Sequence, residues 1–217
     1  MTVLAFHDER DVDDALETVR SHLAANGILA YPTETVYGLG CRPVDESVRD
    51  LARFKQRPGG KPFLLLISSR PMAEHLGLHF SDAASAMATA FWPGPLTLVL
   101  PGGEGKLPDS LRGPEGGIAV RWTSHRGVSR LINGLGFPIT STSANRPGAP
   151  PAPGSGGVID TFRAEIKNGR LLVLDGGVLG NVPSSTLIDC TRRVPRMVRT
   201  GAIPLPEIQA KVGSLAP

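Results

Sequence analysis

Two short apolar runs, Ile28–Ala30 and Phe63–Ile67, stand either side of a polar and then cationic segment, and this arrangement constrains the fold more than any other stretch of the chain. A continuously apolar run such as Phe63–Ile67 is what a strand covered on both faces requires. The segment between begins Tyr31-Pro-Thr-Glu-Thr-Val-Tyr-Gly-Leu-Gly40, which brings two threonines, a glutamate and a tyrosine to the end of the first strand. In an open α/β sheet, ligands sit at such ends. The segment closes on Lys55-Gln-Arg57 and Lys61-Pro62, three cations within seven residues, with Pro58, Gly59 and Gly60 turning the chain out of a helix between them. A cluster of this kind reads either as a fixed anion clamp or as a solvated basic turn.

The remaining elements are read from periodicity and punctuation. Val3–Phe6 reads as an edge strand. Asp11–Asn26 reads as a helix with Val12, Ala15, Leu16, Val19 and Leu23 on one face, Asp8 or Asp11 as cap and Gly27 as left-handed stop. Asp45–Phe54 predicts a second helix with Val48, Leu51 and Ala52 inward. Ser69-Arg-Pro71 opens a short helix closed by Gly77, and Ser81 caps another that runs to about Phe91. Further strands are expected at Ile28–Tyr31, Leu96–Leu100, Ile118–Arg121, Phe137–Ser141, Leu171–Asp175, Ser185–Asp189 and Pro195–Arg199, with helices at 127–132 and 158–168. Lys106–Gly117 reads as loop, and the Pro/Gly-rich stretch 145–157 as a loop over a site or a linker; the loop is preferred because the residues after it are too few for a second core. The tail from Pro204 is expected on the surface.

At 217 residues with 41% apolar side chains, one domain spanning 1–217 with a core at about 10–203 is expected. The net charge of +3 suits anionic ligands without requiring nucleic acid. Two cysteines, Cys41 and Cys190, have no metal-site spacing and build no disulfide framework. No segment has the roughly 20 apolar residues that span a bilayer, so a cytoplasmic, membrane-free protein is expected.

Familiar phosphate loops are absent: Gly102-Gly-Glu-Gly-Lys106 lacks the first glycine and the Ser/Thr after lysine, and Gly38-Leu-Gly40 has no third glycine opening a helix. His75 and His79 are split by Gly77 and lack the HExxH order, so no metal ligands are assigned. Two Ser/Thr runs, Ser141-Thr-Ser-Ala-Asn145 after one strand and Pro183-Ser-Ser-Thr186 at another, would each alone be turn chemistry. Together with Arg57, Lys61, Arg121 and Arg199 at element ends they suggest a site for anions. No Ser-His-Asp order or close carboxylate pair stands out, which suits a reaction run by placing reactants together and neutralising charge.

Seven motifs in register, YPTETVYGLG, Lys55-x-Arg57 with Lys61-Pro62, PGPLTLVL, Ala119-Val-Arg121, STSAN, SSTLID and VRTGAI, resemble the YrdC-like threonylcarbamoyl-AMP synthases. The resemblance implies a twisted, open, mixed α/β sheet flanked by helices around a large basic concave cavity. It implies synthesis of threonylcarbamoyl-AMP from L-threonine, bicarbonate or CO2 and ATP with release of pyrophosphate, for modification of adenosine in tRNA. By the same resemblance Thr35, Arg121, Ser141 and Ser185 contact threonine, while Arg57, Lys61, Ser143, Asn145 and Arg199 contact the nucleotide. Lys55 and Arg57 fall in the lysine-x-arginine signature and are expected at the chemistry. Mg²⁺ is expected on the triphosphate, with Glu34 the one nearby acid that could contribute. A downstream threonylcarbamoyl-transferring machinery is implied, and contact with tRNA or other RNA is allowed.

By the same resemblance the short form, without the C-terminal domain and linker of longer members, is expected, and Pro151 stands where many relatives have a donor side chain. Two rival readings are kept. An RNA-binding or ribosome-assembly protein would use the same basic concavity, but aromatic residues make up only 5% of the chain and no stacking motif is evident. A carbamoyl-transferring maturation domain lacks its usual accompanying segments here.

Overall fold

The computed structural model describes residues 3–57, 61–213 and 215–216. Pro58, Gly59 and Gly60, expected to turn the chain between the cations, lie outside the described residues. In chain order the elements are β1 (Val3–Ala5), α1 (Glu9–Ala24), β2 (Ile28–Tyr31), β3 (Gly38–Gly40), α2 (Asp45–Phe54), β4 (Leu64–Ile67), α3 (Arg70–His75), α4 (Asp82–Phe91) and β5 (Leu96–Leu100). A 3-10 turn at Asp109–Leu111 precedes β6 (Ile118–Trp122), α5 (Arg126–Leu135), β7 (Ile139–Ser143), α6 (Ser155–Thr161) and α7 (Arg163–Lys167). The chain then forms β8 (Leu171–Asp175), β9 (Thr186–Asp189), β10 (Arg196–Arg199) and α8 (Leu205–Val212).

Among the described residues the strands form one open mixed sheet in the order β1-β8-β2-β3-β7-β4-β6-β5-β9-β10. Four neighbouring pairs are parallel (β1 with β8, β8 with β2, β4 with β6, β5 with β9) and the other five antiparallel. The period-2 geometry of a strand divides its side chains between two layers. Ile28, Ala30, Leu65, Ile67, Leu171 and Val173 enter one core, with Val48, Leu51 and Phe54 of α2, Met87 of α4, Phe162 and Ile208 of α8. Leu29, Tyr31, Leu66, Leu172 and Leu174 enter the other, under Val12, Val19 and Leu23 of α1 and Val128, Leu131 and Ile132 of α5.

The second layer covers only part of its face. Helices α1 and α5 pack on each other, α1 over β1 and β2 and α5 over β4. Toward β6, β5 and β9 the alternate residues on that face are Thr97, Val99, Ala119, Arg121, Leu187 and Asp189, and they line a cavity instead.

Several expectations are corrected. The helix stop after α1 is Asn26, at φ 60°, not Gly27. Asparagine tolerates the left-handed region, and Asn26 Oδ1 also accepts from Ser47 Oγ at 2.6 Å. A Cβ at Gly27 would lie 2.3 Å from His22 Nε2, so a side chain there would displace the imidazole that sits 2.8 Å from the Ile28 carbonyl. The STSAN run does not come after a strand: Ser141, Thr142 and Ser143 belong to β7, since their backbones pair with Leu64 of β4 and with Leu39 and Gly38 of β3. Strand β3 has no apolar run to announce it, being three residues with a glycine at each end. The single helix expected over 158–168 is two, broken at Phe162, whose ring packs on Phe54 at a centroid distance of 5.4 Å. The tail is not simply superficial, because α8 packs on α4 and buries Ile208 completely.

Candidate active site

The half of the sheet face that α1 and α5 leave uncovered is the floor of a cavity of about 680 Å³. Its walls are the turn after β2, the segment before β4, the loops at 113–117 and near Pro151, and the β9–β10 hairpin. Of the residues singled out in the sequence, Thr35, Arg57, Lys61, Arg121, Ser141, Ser143, Ser185 and Arg199 all line it. They come from six separate stretches of chain, and the sheet order brings them together because β6, carrying Arg121, lies between β4 and β5.

One end is built around Arg121, which is 5% exposed. Its Nη1 donates to Thr35 Oγ1 at 3.1 Å and its Nε to the Gly94 carbonyl at 3.3 Å. Its Nη2 lies 2.7 Å from Glu34 Oε1, off the hydrogen-bonding angle, so that contact is an ion pair only. Glu34 is held in turn by the end of β6, accepting from the Thr123 hydroxyl and, at 3.1 Å, from the Ser124 N–H. Burial opposes its ionisation, but Arg121, Thr123 and Ser124 together leave its pKa below the ordinary glutamate value. Nearby, Ser185 Oγ lies 2.8 Å from Thr97 Oγ1 and accepts from Arg199 Nη2 at 3.2 Å. Burial, and then the neighbouring charge of Arg121, lower the pKa of Arg199.

The cationic segment is more tightly tied than a solvated turn. Arg57 Nε donates to the Lys61 carbonyl at 2.6 Å, Nη2 to the Pro62 carbonyl at 2.8 Å and Nη1 to Thr142 Oγ1 at 3.1 Å. Its guanidinium carbon also sits 4.6 Å from the centre of the Phe63 ring. Arg57 thus joins the segment before β4 to the polar strand β7.

Lys55 and Asn145 stand apart from the other expected residues, since neither lines the cavity. The Lys55 ammonium donates to the Ser143 carbonyl at 2.8 Å, to Asn145 Oδ1 at 3.0 Å and to the Asn145 carbonyl. Asn145 Oδ1 also accepts from Ser143 Oγ at 2.6 Å. This cluster lies behind the wall and sets the chain's exit from β7. Burial, with Arg57 and Arg146, pushes the pKa of Lys55 down to about 8, which leaves it mostly protonated at neutral pH.

Other lining residues were not singled out from the sequence. Thr33 is one of the two threonines after β2, and Thr97 is the lone hydroxyl in the apolar run Leu96–Leu100; neither carries a ligand assignment from the sequence. Asp189 and Arg196 face each other at 3.5 Å across the β9–β10 hairpin, and Glu115 on the 113–117 loop binds Arg192 with both carboxylate oxygens at 2.8 Å. Among the described residues no group of three or more His, Cys, Asp or Glu side chains is gathered for a metal, and no helix is long and apolar enough to cross a membrane.

The protein-family model Sua5_yciO_yrdC, described as telomere recombination, matches residues 21–201. The chain belongs to the Sua5/YciO/YrdC family. A threonylcarbamoyl-AMP synthase of Pyrococcus abyssi is 34% identical over 216 residues, covering 99% of this chain. This chain spans only 62% of that relative's length. One from Marinobacter nauticus is 36% identical over 175 residues, covering 80% of this chain and 90% of the relative. Among solved structures, P. abyssi Sua5 complexed with L-threonine superposes with a TM-score of 0.86 at 32% identity, over 99% of this chain and 62% of that one. E. coli YciO superposes with a TM-score of 0.77 at 25% identity, over 94% and 96% of the two chains. These neighbours share the open mixed sheet with flanking helices.

Proposed function

We propose that this member of the Sua5/YciO/YrdC family is a threonylcarbamoyl-AMP synthase, a nucleotidyltransferase acting in the cytoplasm through one domain with its core at about 10–203. The observation that carries the reading is the convergence of Thr35, Arg57, Lys61, Arg121, Ser141, Ser143, Ser185 and Arg199 on one cavity. The names of the relatives, and the threonine in the Pyrococcus structure, support it.

In this reading the threonine amine adds to CO2, loses a proton and becomes a carbamate. A carbamate oxygen then attacks the α-phosphorus of ATP, and pyrophosphate leaves. The carbamate and ATP are both anionic, so the protein's task is to hold them against mutual repulsion and in line. Arg121 is the anchor for the threonine carboxylate, its planar fork suiting two oxygens. Thr35, Ser141 and Ser185 read the polar groups of the amino acid. Arg57, Lys61, Ser143 and Arg199 receive the nucleotide, and the cavity has five cations (Arg57, Lys61, Arg121, Arg196, Arg199) against two acids (Glu115, Asp189) among its lining residues. ATP enters as its Mg²⁺ complex. Asp189 and Glu115 are already bonded to Thr191 and Arg192, and Glu34 to Arg121, so phosphate and water would hold the ion. Lys55 and Asn145 support Ser143 from behind. The product is a mixed anhydride of carbamic and phosphoric acids, which threonylcarbamoyl-transferring machinery consumes on tRNA.

The test is pyrophosphate release from ATP with threonine and bicarbonate withheld one at a time. Release should require both, and release independent of threonine overturns the proposal. Arg121→Ala should raise KM for threonine, and Lys61→Ala KM for ATP, each about tenfold or more, the size expected for one lost charged hydrogen bond.

A further inference from the structure

The hydroxyl of Ser143 is held from behind the cavity wall. Its Oγ lies 2.6 Å from Asn145 Oδ1, an amide oxygen that can only accept, so the hydroxyl proton points there. Two further contacts fix which end of that amide is oxygen. The Lys55 ammonium, which can only donate, lies 3.0 Å from Oδ1, and on the other side Nδ2 donates to the Ala149 carbonyl. Turned over, the amide would set a donor against the ammonium and an acceptor against the carbonyl. Every group in the cluster is matched: the three ammonium hydrogens meet the Ser143 carbonyl, the Asn145 carbonyl and Oδ1, and the two lone pairs of Oδ1 meet Lys55 and Ser143.

The consequence falls on the cavity side. Ser143 lines the cavity, whereas Lys55 and Asn145 do not. With its proton on the Asn145 bond, Ser143 has only lone pairs left for a ligand. An ionised phosphate oxygen also carries lone pairs alone, and would have to take that proton out of a 2.6 Å hydrogen bond. The hydrogen-bond donors of ATP sit on its nucleoside half, in the exocyclic amine of adenine and the two hydroxyls of the ribose. The lining cations, which can only donate, suit the phosphates instead.

We propose that Ser143 is a hydrogen-bond acceptor for the nucleoside half of ATP, taking a hydrogen from the adenine amine or a ribose hydroxyl, and that Asn145, itself oriented by Lys55, is the positioning residue that holds it in that state; this rests on the function proposed above. A phosphate chain without a nucleoside gains nothing from Ser143. The serine therefore serves nucleotide selectivity, while the arginines and Lys61 carry the charge.

Calorimetric titration of ATP and of inorganic triphosphate, both as Mg²⁺ complexes, into the wild-type chain and variants tests this, with melting curves showing that each variant is folded at the titration temperature. Ser143→Ala should weaken ATP binding about five- to tenfold, the scale of one hydrogen bond, and change triphosphate binding less than about twofold. Ser143→Cys, close in shape and a poor acceptor, should do the same, and it decides the matter if the alanine variant does not fold. Purine riboside triphosphate lacks the amine, and 2′-deoxy-ATP and 3′-deoxy-ATP each lack one hydroxyl. The analogue without the partner of Ser143 should bind the wild type about five- to tenfold more weakly than ATP and lose less than about twofold more in Ser143→Ala, which separates base from sugar. Asn145→Ala should weaken ATP binding, spare triphosphate, and add less than about twofold to the loss in Ser143→Ala, because its route of action is gone. Equal loss of ATP and triphosphate affinity, a full further loss with all three analogues, or a large further loss on adding Asn145→Ala overturns the proposal. A wild-type chain that binds no ATP would instead overturn the proposed function itself.

Discussion

At Glu34, burial and charge act in opposite directions on a single carboxyl. Its desolvation favours the neutral acid, while Arg121, the Thr123 hydroxyl and the Ser124 N–H favour the anion and prevail. A carboxyl whose folded pKa is depressed contributes stability that is fully present above its unfolded pKa and is lost as pH falls through the folded one. Glu34→Gln should therefore cost about 2 kcal/mol at pH 7, and the gap from wild type should close as pH is lowered below about 4.5. Urea melts of both proteins between pH 7 and pH 3 measure this, and a gap independent of pH would show that the ion pair is not its source. Residue types at this scale were largely readable in sequence: Thr35, Arg121, Ser185 and Arg199 stand out as polar or charged groups beside apolar runs. What cannot be read is which of them faces the ligand. Lys55 lies two residues from Arg57 with the same charge, yet its ammonium is spent on Ser143 and Asn145 behind the wall.

Elements were recovered best where a helix is capped and amphipathic. In α1, Asp8 accepts from the Asp11 N–H at 2.9 Å, and Asp11 accepts in turn from the His7 N–H at 2.8 Å. Helix α2 needed only its apolar face of Val48, Leu51 and Phe54. Elements defined by their partners were harder. Strand β3 exists because β2 and β7 lie on either side of it, and its glycines make room for them: a Cβ on Gly40 would lie 2.0 Å from the Thr140 carbonyl oxygen. Gly201 plays the same part after β10. A Cβ there would come within 2.2 Å of the Ser184 carbonyl oxygen and 2.5 Å of the Thr186 nitrogen. The segment it opens is zipped to β9 by Ala202 N–H to the Ser184 carbonyl at 2.9 Å and Ile203 N–H to Thr186 Oγ1 at 3.0 Å. Gly201→Ala should push the backbone at Ser185 aside, destabilise the fold by about 1–3 kcal/mol and weaken threonine binding. Melting curves with calorimetry check both effects, and a variant stable but blind to threonine would place the whole effect at Ser185.

Across the whole molecule, structure and site divide one face of one sheet between them. Helices α1 and α5 cover one side of it, and the cavity occupies the other. Leu131→Ala in α5, at a fully buried position, should cost about 2–5 kcal/mol while leaving the affinity for threonine within about twofold below the melting transition. A large change in that affinity would mean that the helical layer also shapes the cavity.

The sequence by itself determined the alternation of apolar runs with capped helices, and the residue types that an anion-handling site requires. These are local properties, set by side-chain chemistry and by the periods of helix and strand. Only the tertiary structure decided that Arg121, Ser141, Ser185 and Arg199 meet Thr35 and Lys61 in one cavity, and that Lys55 and Asn145 stand behind it. Strand order is settled by which pairings bury both apolar faces at once. The polar and cationic segment from Tyr31 to Ser68 thus supplies two walls of a cavity whose floor comes from β5, β6, β7 and β9.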